Sequence, residues 1–188
     1  MKVVGLSGSR IGSKTRTAMA ETMRVLEESY PNAEATTIDL ASVDLDWSDG
    51  RHFLDYEGDT KHVSRAIMDA DVLIIGTPIF QASIPGSLKN VFDLLPERAL
   101  ETKTVSIVVT AGSPKHYLIA EQQLRPILTY MKANVSQNFV FIEEKDFHQK
   151  EIVNDDVHFR LQNLVEDTML LAETYQEMLQ KKDDLYDF

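Results

Sequence analysis

Short apolar runs alternate with helix-period segments along the whole chain, and that alternation restricts it to a parallel sheet covered by helices on both faces. The runs are Val3 to Leu6, Ala35 to Leu40, Val72 to Gly76, Thr104 to Thr110 and Asn138 to Ile142. A stretch such as Val72-Leu73-Ile74-Ile75 has no polar alternation, as expected of a strand buried on both sides. The spacing between the runs predicts helices from about Ser13 to Ser29, from an N-cap at Thr60 to Asp69, and from Pro85 to Leu95. Two more are predicted, from the Ala111-Gly112-Ser113-Pro114 loop to Lys132 and from Asp155 to Lys181. Pro85 suits a first helical turn, whereas Pro126 should kink its helix or shift its start.

Five strands and five helices in strict alternation predict a flavodoxin-like three-layer α/β fold with a five-stranded parallel sheet in the order 2-1-3-4-5. No internal repeat or linker divides the 188 residues, so a single domain over 1–188 is expected. The formal charge of -11 argues against a nucleic-acid or anionic-membrane surface, because such surfaces need clustered Lys and Arg. Without cysteine there is no disulfide, thiolate metal site or dithiol, so any redox chemistry must come from a cofactor. The strand beginning at Val3 leaves no room for a signal peptide, and a cytoplasmic location is expected.

Two loops carry the chemistry. The first, Ser7-Gly8-Ser9-Arg10-Ile11-Gly12-Ser13-Lys14-Thr15, joins an apolar strand to a helix. It offers hydroxyls from Ser9, Ser13 and Thr15, a cation at Arg10 and a helix N-terminus, which together make an anion site. It misses the triphosphate loop G-x-x-x-x-G-K-[ST] because Ser13 stands at the second glycine, and neither Val72 to Gly76 nor Thr104 to Thr110 ends in a magnesium-holding Asp. The dinucleotide fingerprint G-x-G-x-x-G is absent as well. The second loop begins Thr77-Pro78-Ile79-Phe80-Gln81, where Pro78 stiffens the backbone and Phe80 offers an aromatic face. One loop for a phosphate and one for a planar ring is the division of labour of a flavin mononucleotide site.

The pattern Gly-Ser-x-Arg-x-x-Ser-x-Thr, followed by Thr-Pro-x-aromatic-x-x-Ser-Ile-Pro-Gly-x-Leu-Lys-Asn, resembles the NAD(P)H-dependent FMN reductase family. The stretches Asp93 to Leu100, Ala111 to Leu118 and Leu124 to Leu128 are similar to the branch that supplies reduced flavin to sulfonate monooxygenases. The resemblance implies FMN phosphate contacts from Ser9, Arg10, Ser13 and Thr15. It implies ring and ribityl contacts from Pro78, Ile79, Phe80, Gln81, Gly112 and Ser113, and places His116 on a His typical of the branch. It further implies NADPH or NADH as hydride donor, a homodimer or homotetramer, and a flavin-dependent monooxygenase as partner. Phe80 stands where Tyr is common, the third loop has one glycine where two are frequent, and Gln122 aligns with a Tyr in a widened helical turn.

No catalytic side chain is expected, since hydride passes between cofactors. The histidines show no metal-ligand spacing, and Asp44-x-Asp46 departs from a calcium loop at its glycine and at Asp55, so no metal is expected. The acidic segment 44–59 reads instead as an active-site cover or a dimer contact. Three other functions stay open as alternatives: an FMN-bound quinone, azo or nitro reductase, a flavodoxin-type electron carrier, and a P-loop nucleotide kinase, the last disfavoured by the missing loop glycine and magnesium Asp.

Overall fold

The computed structural model describes residues 1–185. Its sheet contains β1 (Lys2–Ser7), β2 (Glu34–Asp39), β3 (Val72–Pro78), β4 (Thr104–Ala111), β5 (Asn134–Val135) and β6 (Val140–Glu143). All pairings in it are parallel and the order is β2-β1-β3-β4-β5, with β6 also pairing with β4. This is the expected flavodoxin-like order, with its fifth position divided between two short strands. β5 continues the start of β4 from Thr104, and β6 lies against its end from Val108 to Ala111. Only the second piece has an apolar run long enough to be recognised in sequence.

The helices are α1 (Lys14–Ser29), α2 (Gly58–Asp69), α3 (Gly86–Asp93), α4 (Arg125–Tyr130) and α5 (Asp155–Asp184). Strand residues point alternately to the two faces, and this period splits the core into two layers. Val4, Leu6, Leu73, Ile75, Val105, Ile107 and Val109 pack against Ile67, Leu88, Leu124 and Leu128 of the α2, α3 and α4 side. Val3, Val72, Ile74 and Val108 pack against Ala18, Met19 and Leu26 of α1 and Leu161 and Val165 of α5.

Three boundaries differ from expectation. Glu57, not Thr60, stands at the N-cap of α2. Thr60 is buried and its hydroxyl bonds Asp46, accepting from the backbone N–H and donating to Oδ2. The segment after β4 is not one helix. It makes a 3-10 turn over Pro114–His116, a π-helical turn over Ala120–Leu124, and only then enters α4. Pro126 lies in the first turn of α4, where a missing N–H is harmless, so the proline shifts the helix start as its chemistry requires. Finally, β3 runs on through Pro78, which is buried at the strand end opposite Thr110. A small antiparallel hairpin, β7 (Phe147–His148) with β8 (Glu151–Ile152), precedes α5.

Candidate functional site

Because β1, β3 and β4 are neighbours and parallel, the loops leaving their carboxyl ends converge at one edge of the sheet, where open α/β folds bind ligands. They are stitched together directly. Gly8 N–H donates to Gly76 C=O at 2.7 Å, and the Thr15 and Thr110 hydroxyls share a buried hydrogen bond of 2.7 Å. Ile79 N–H donates to Thr110 C=O at 3.2 Å, and Ser87 Oγ donates to Gly8 C=O at 3.3 Å. The first crossing depends on glycine: a Cβ on Gly8 would lie 2.9 Å from Gly76 O. The expected site residues of all three loops are therefore brought together.

Within the first loop the hydroxyls divide. Ser9 is buried, and its Oγ donates to Ile11 C=O at 2.6 Å and accepts from Ile11 N–H, so it shapes the loop. Thr15 is buried on Thr110 and also shapes the site from within. Neither hydroxyl is directed to a ligand in this geometry. Ser13 differs. It stands at the N-cap of α1 without making a side-chain cap bond, and the first turn of α1 holds no acidic residue. The leading N–H groups of α1 lack intrahelical acceptors, as at any helix start, and the macrodipole favours an anion there. By contrast α5 is capped by Asn154, whose side chain accepts from Asp156 N–H, and begins with Asp155 and Asp156. The donors at the start of α1, with the Ser13 hydroxyl and the Arg10 guanidinium, fit a phosphate group.

The second loop makes a tight reversal. Phe80 and Ser83 exchange backbone hydrogen bonds of 2.9 and 3.0 Å, and Gln81 and Ala82 between them have φ of 48° and 59°. Two successive left-handed residues form a primed turn, here without glycine, which stores backbone strain beside the site. Phe80 is 43% exposed, so it is no core residue, and Ile79 is half-buried beside it. Ser83 Oγ donates to Gln123 at 3.2 Å and so ties this turn to the π-helical turn that also contains Gln122. In the third loop Gly112 is exposed, with only Glu144 Oε2 near its Cβ direction at 3.7 Å. Ser113 Oγ accepts from Lys115 N–H, and His116 ends the short turn half-buried. Exposed backbone, an aromatic edge and an open glycine fit a planar ring.

Several contacts around the loops have no counterpart in the sequence reading. Asn90, in α3, is buried and clamps the acidic segment as a strap: its Nδ2 donates to Asp46 C=O at 2.9 Å and its Oδ1 accepts from Ser48 N–H at 3.0 Å. Tyr56, fully buried, anchors the far end through Asp49. Asp44 on the strap lies 4.0 Å from Arg10, and Glu144, beyond β6, accepts from Lys14 Nζ at 2.5 Å. That ammonium holds the Glu144 carboxyl below its usual range. Asn90 and Lys14 stood inside the recognised motifs and Asp44 and Tyr56 inside the acidic segment, none with its partner marked, whereas Glu144 has no local signal. Among the described residues no group of three or more His, Cys, Asp or Glu could hold a metal. A groove of about 590 Å³ lies away from the loops, between α3 and α4, lined chiefly by Phe92, Leu95, Pro96, Ile127, Tyr130 and Met131.

Comparison with known proteins agrees with this geometry. Residues 1–147 match the family model for NADPH-dependent FMN reductase. An NAD(P)H-dependent FAD/FMN reductase of Geobacillus thermodenitrificans (strain NG80-2) is 36% identical over 165 residues, covering 87% of this chain and 89% of that protein. The NADH-dependent FMN reductase SfnF of Pseudomonas fluorescens (strain Pf0-1) is 26% identical over 181 residues, covering 96% and 97%. Among solved structures, an apo NADH:FMN oxidoreductase, EMOB, superposes with a TM-score of 0.76 at 29% identity over 90% of this chain and 88% of that one.

Proposed function

This chain belongs to the NADPH-dependent FMN reductase family, and we propose that its three convergent loops hold FMN while NAD(P)H is oxidised against it. The observation that carries the assignment is the uncapped start of α1 beside Ser13 and Arg10, at the edge where the loops after β3 and β4 also end. FMN, when bound, supplies the hydride acceptor for the nicotinamide. The chain's own work is to bind and orient. Ser13, Arg10 and the first N–H groups of α1 hold the phosphate, while Ser9 and Thr15 support them from inside. The backbone from Pro78 to Gln81 and at Gly112 and Ser113 borders the ring, Phe80 covers one side, and His116 stands where it can position the nicotinamide. Hydride passes between the two cofactors, so no side-chain acid or base is required and the loops contribute position and orientation.

One domain spans 1–188 and works in the cytoplasm; among the described residues no helix is long and apolar enough to cross a membrane. The groove between α3 and α4, apolar along Phe92, Leu95, Ile127 and Met131 and edged by Lys89, Asp93 and Glu97, supports self-association into a dimer or tetramer. The resemblance of the third loop to sulfonate-associated reductases supports delivery of reduced flavin to a monooxygenase. The test is direct. Anaerobic NADPH or NADH should bleach the visible absorbance of added FMN, and Arg10→Ala should weaken FMN binding by about 1.5–3 kcal/mol, the scale of a hydrogen bond to a charged group. Riboflavin should bind more weakly than FMN, and equal affinity for the two would remove the phosphate assignment.

A further inference from the structure

The segment that carries the phosphate loop has three cations, Arg10, Lys14 and Arg16, and each meets a carboxylate from a different element. Arg10 lies 4.0 Å from Asp44 of the strap, Lys14 Nζ 2.5 Å from Glu144 beyond β6, and Arg16 Nε 2.5 Å from Asp39 at the end of β2. A cation without a protein partner offers phosphate its full charge-assisted bond, whereas one already paired must first give up its carboxylate. Here each of the three cations already faces a carboxylate of its own chain.

The three carboxylates are not equivalent. Asp39 is 17% exposed and also accepts from Ala41 N–H, so it belongs to the end of β2. The Asp44 and Glu144 side chains are 97% and 65% exposed. Buried charges need a partner, but solvated ones do not, so neither pair exists to compensate desolvation. Nor is Asp44 placed by chance: its own N–H donates to Asp59 Oδ2 at 2.8 Å, and Thr60 and Asn90 fix the next residues of the strap.

We infer that Asp44 and Glu144 are intramolecular counter-ions that compete with the FMN phosphate for Arg10 and for Lys14, which opens α1 directly after Ser13, and so weaken the hold of the loop on the phosphate. The inference rests on the phosphate assignment above. When phosphate arrives, each cation changes partner and the released carboxylate stays in water; when flavin leaves, the carboxylate takes the cation back. Exchange of one exposed partner for another avoids ever leaving a bare charge. Each cation still bonds the phosphate, but the partner it gives up reduces the net gain, so the helix start and backbone donors carry a larger share of the binding and its salt dependence is weakened.

Titration of FMN and riboflavin at low and high salt tests this on the native chain, Asp44→Asn, Glu144→Gln, their double variant, and Glu101→Gln. Glu101 pairs with Arg98 ahead of β4, at the opposite edge of the sheet, and controls for net charge. Each of the first two variants should tighten FMN at low salt by about two- to five-fold, the range of an exposed ion pair, and the double variant by about their product. The gain should vanish at high salt, and riboflavin affinity should not change. Unchanged or weaker FMN binding, an equal gain for riboflavin, or the same gain from Glu101→Gln would overturn the counter-ion role and leave the phosphate assignment standing. A native chain that does not prefer FMN to riboflavin would remove both.

Discussion

At the scale of single residues, the decisive quantity is where a side chain's polar atom points, which sequence patterns do not carry. Ser9, Ser13 and Thr15 share one motif, yet Ser9 bonds its own loop and Thr15 bonds Thr110, while Ser13 makes no cap bond. Phe80 could have been core or site by its residue type alone, and its 43% exposure decides against core. Phe80→Ala should therefore cost well under the about 3–5 kcal/mol of a buried Phe truncation, while weakening FMN binding. Urea unfolding of the apo protein beside a flavin titration measures both, and a core-sized stability loss with normal FMN affinity would refute the placement. The neighbouring turn makes a second test. Ala82 holds φ of 59° without the freedom of glycine, so Ala82→Gly should stabilise the apo protein by about 0.5–1 kcal/mol. A lower urea midpoint would show that the turn is not strained in this way.

At the scale of elements, the strands and long helices were legible because periodicity is local, whereas short or tertiary-determined pieces were not. The two residues of β5 have no period to read, and their pairing is fixed by β4. Pro126 announced a break but could not say that a π-helical turn would precede it. The strap was visible as an acidic stretch, but its clamp by Asn90, from another element, was not. Asn90→Ala leaves Asp46 C=O and Ser48 N–H without that partner and should loosen the strap. Trp47, the only tryptophan, lies on the strap and is 72% exposed, so faster fluorescence depolarisation in the variant is the expected signal. Lys103 plays a similar part at the opposite edge. It is buried at the start of β4, and its Nζ donates to Met68 and Ala70 carbonyls at 2.6 and 2.7 Å, closing the end of α2. Lys103→Met should cost about 1–3 kcal/mol, because those carbonyls lose their donor. A neutral or stabilising result would mean that water replaces the ammonium there.

At the scale of the whole molecule, two charge effects act in opposite directions as pH falls, and they act in different windows. The chain carries -11 at neutral pH and has a pI near 4.8, so protonation on the way down first relieves self-repulsion and should raise stability. Local pairs work against this at lower pH. Glu21 is held below its usual range by hydrogen bonding to Arg24, against the opposing effect of burial and with further help from His158. Asp49 is lowered by Arg51, Glu101 by Arg98 and Glu144 by Lys14. A carboxyl whose folded pKa is depressed contributes stability that is fully present above its unfolded pKa and is lost as pH falls through the folded one. The last three are exposed and screened, so Glu21, whose side chain is 16% exposed between α1 and α5, should dominate. Urea midpoints should thus rise modestly from pH 7 toward 5 and fall below about 4. Glu21→Gln should lower the neutral-pH midpoint and flatten the acid limb, because the variant has no carboxyl there to protonate. An acid limb as steep as that of the native chain would assign acid sensitivity to net positive charge instead of to this pair.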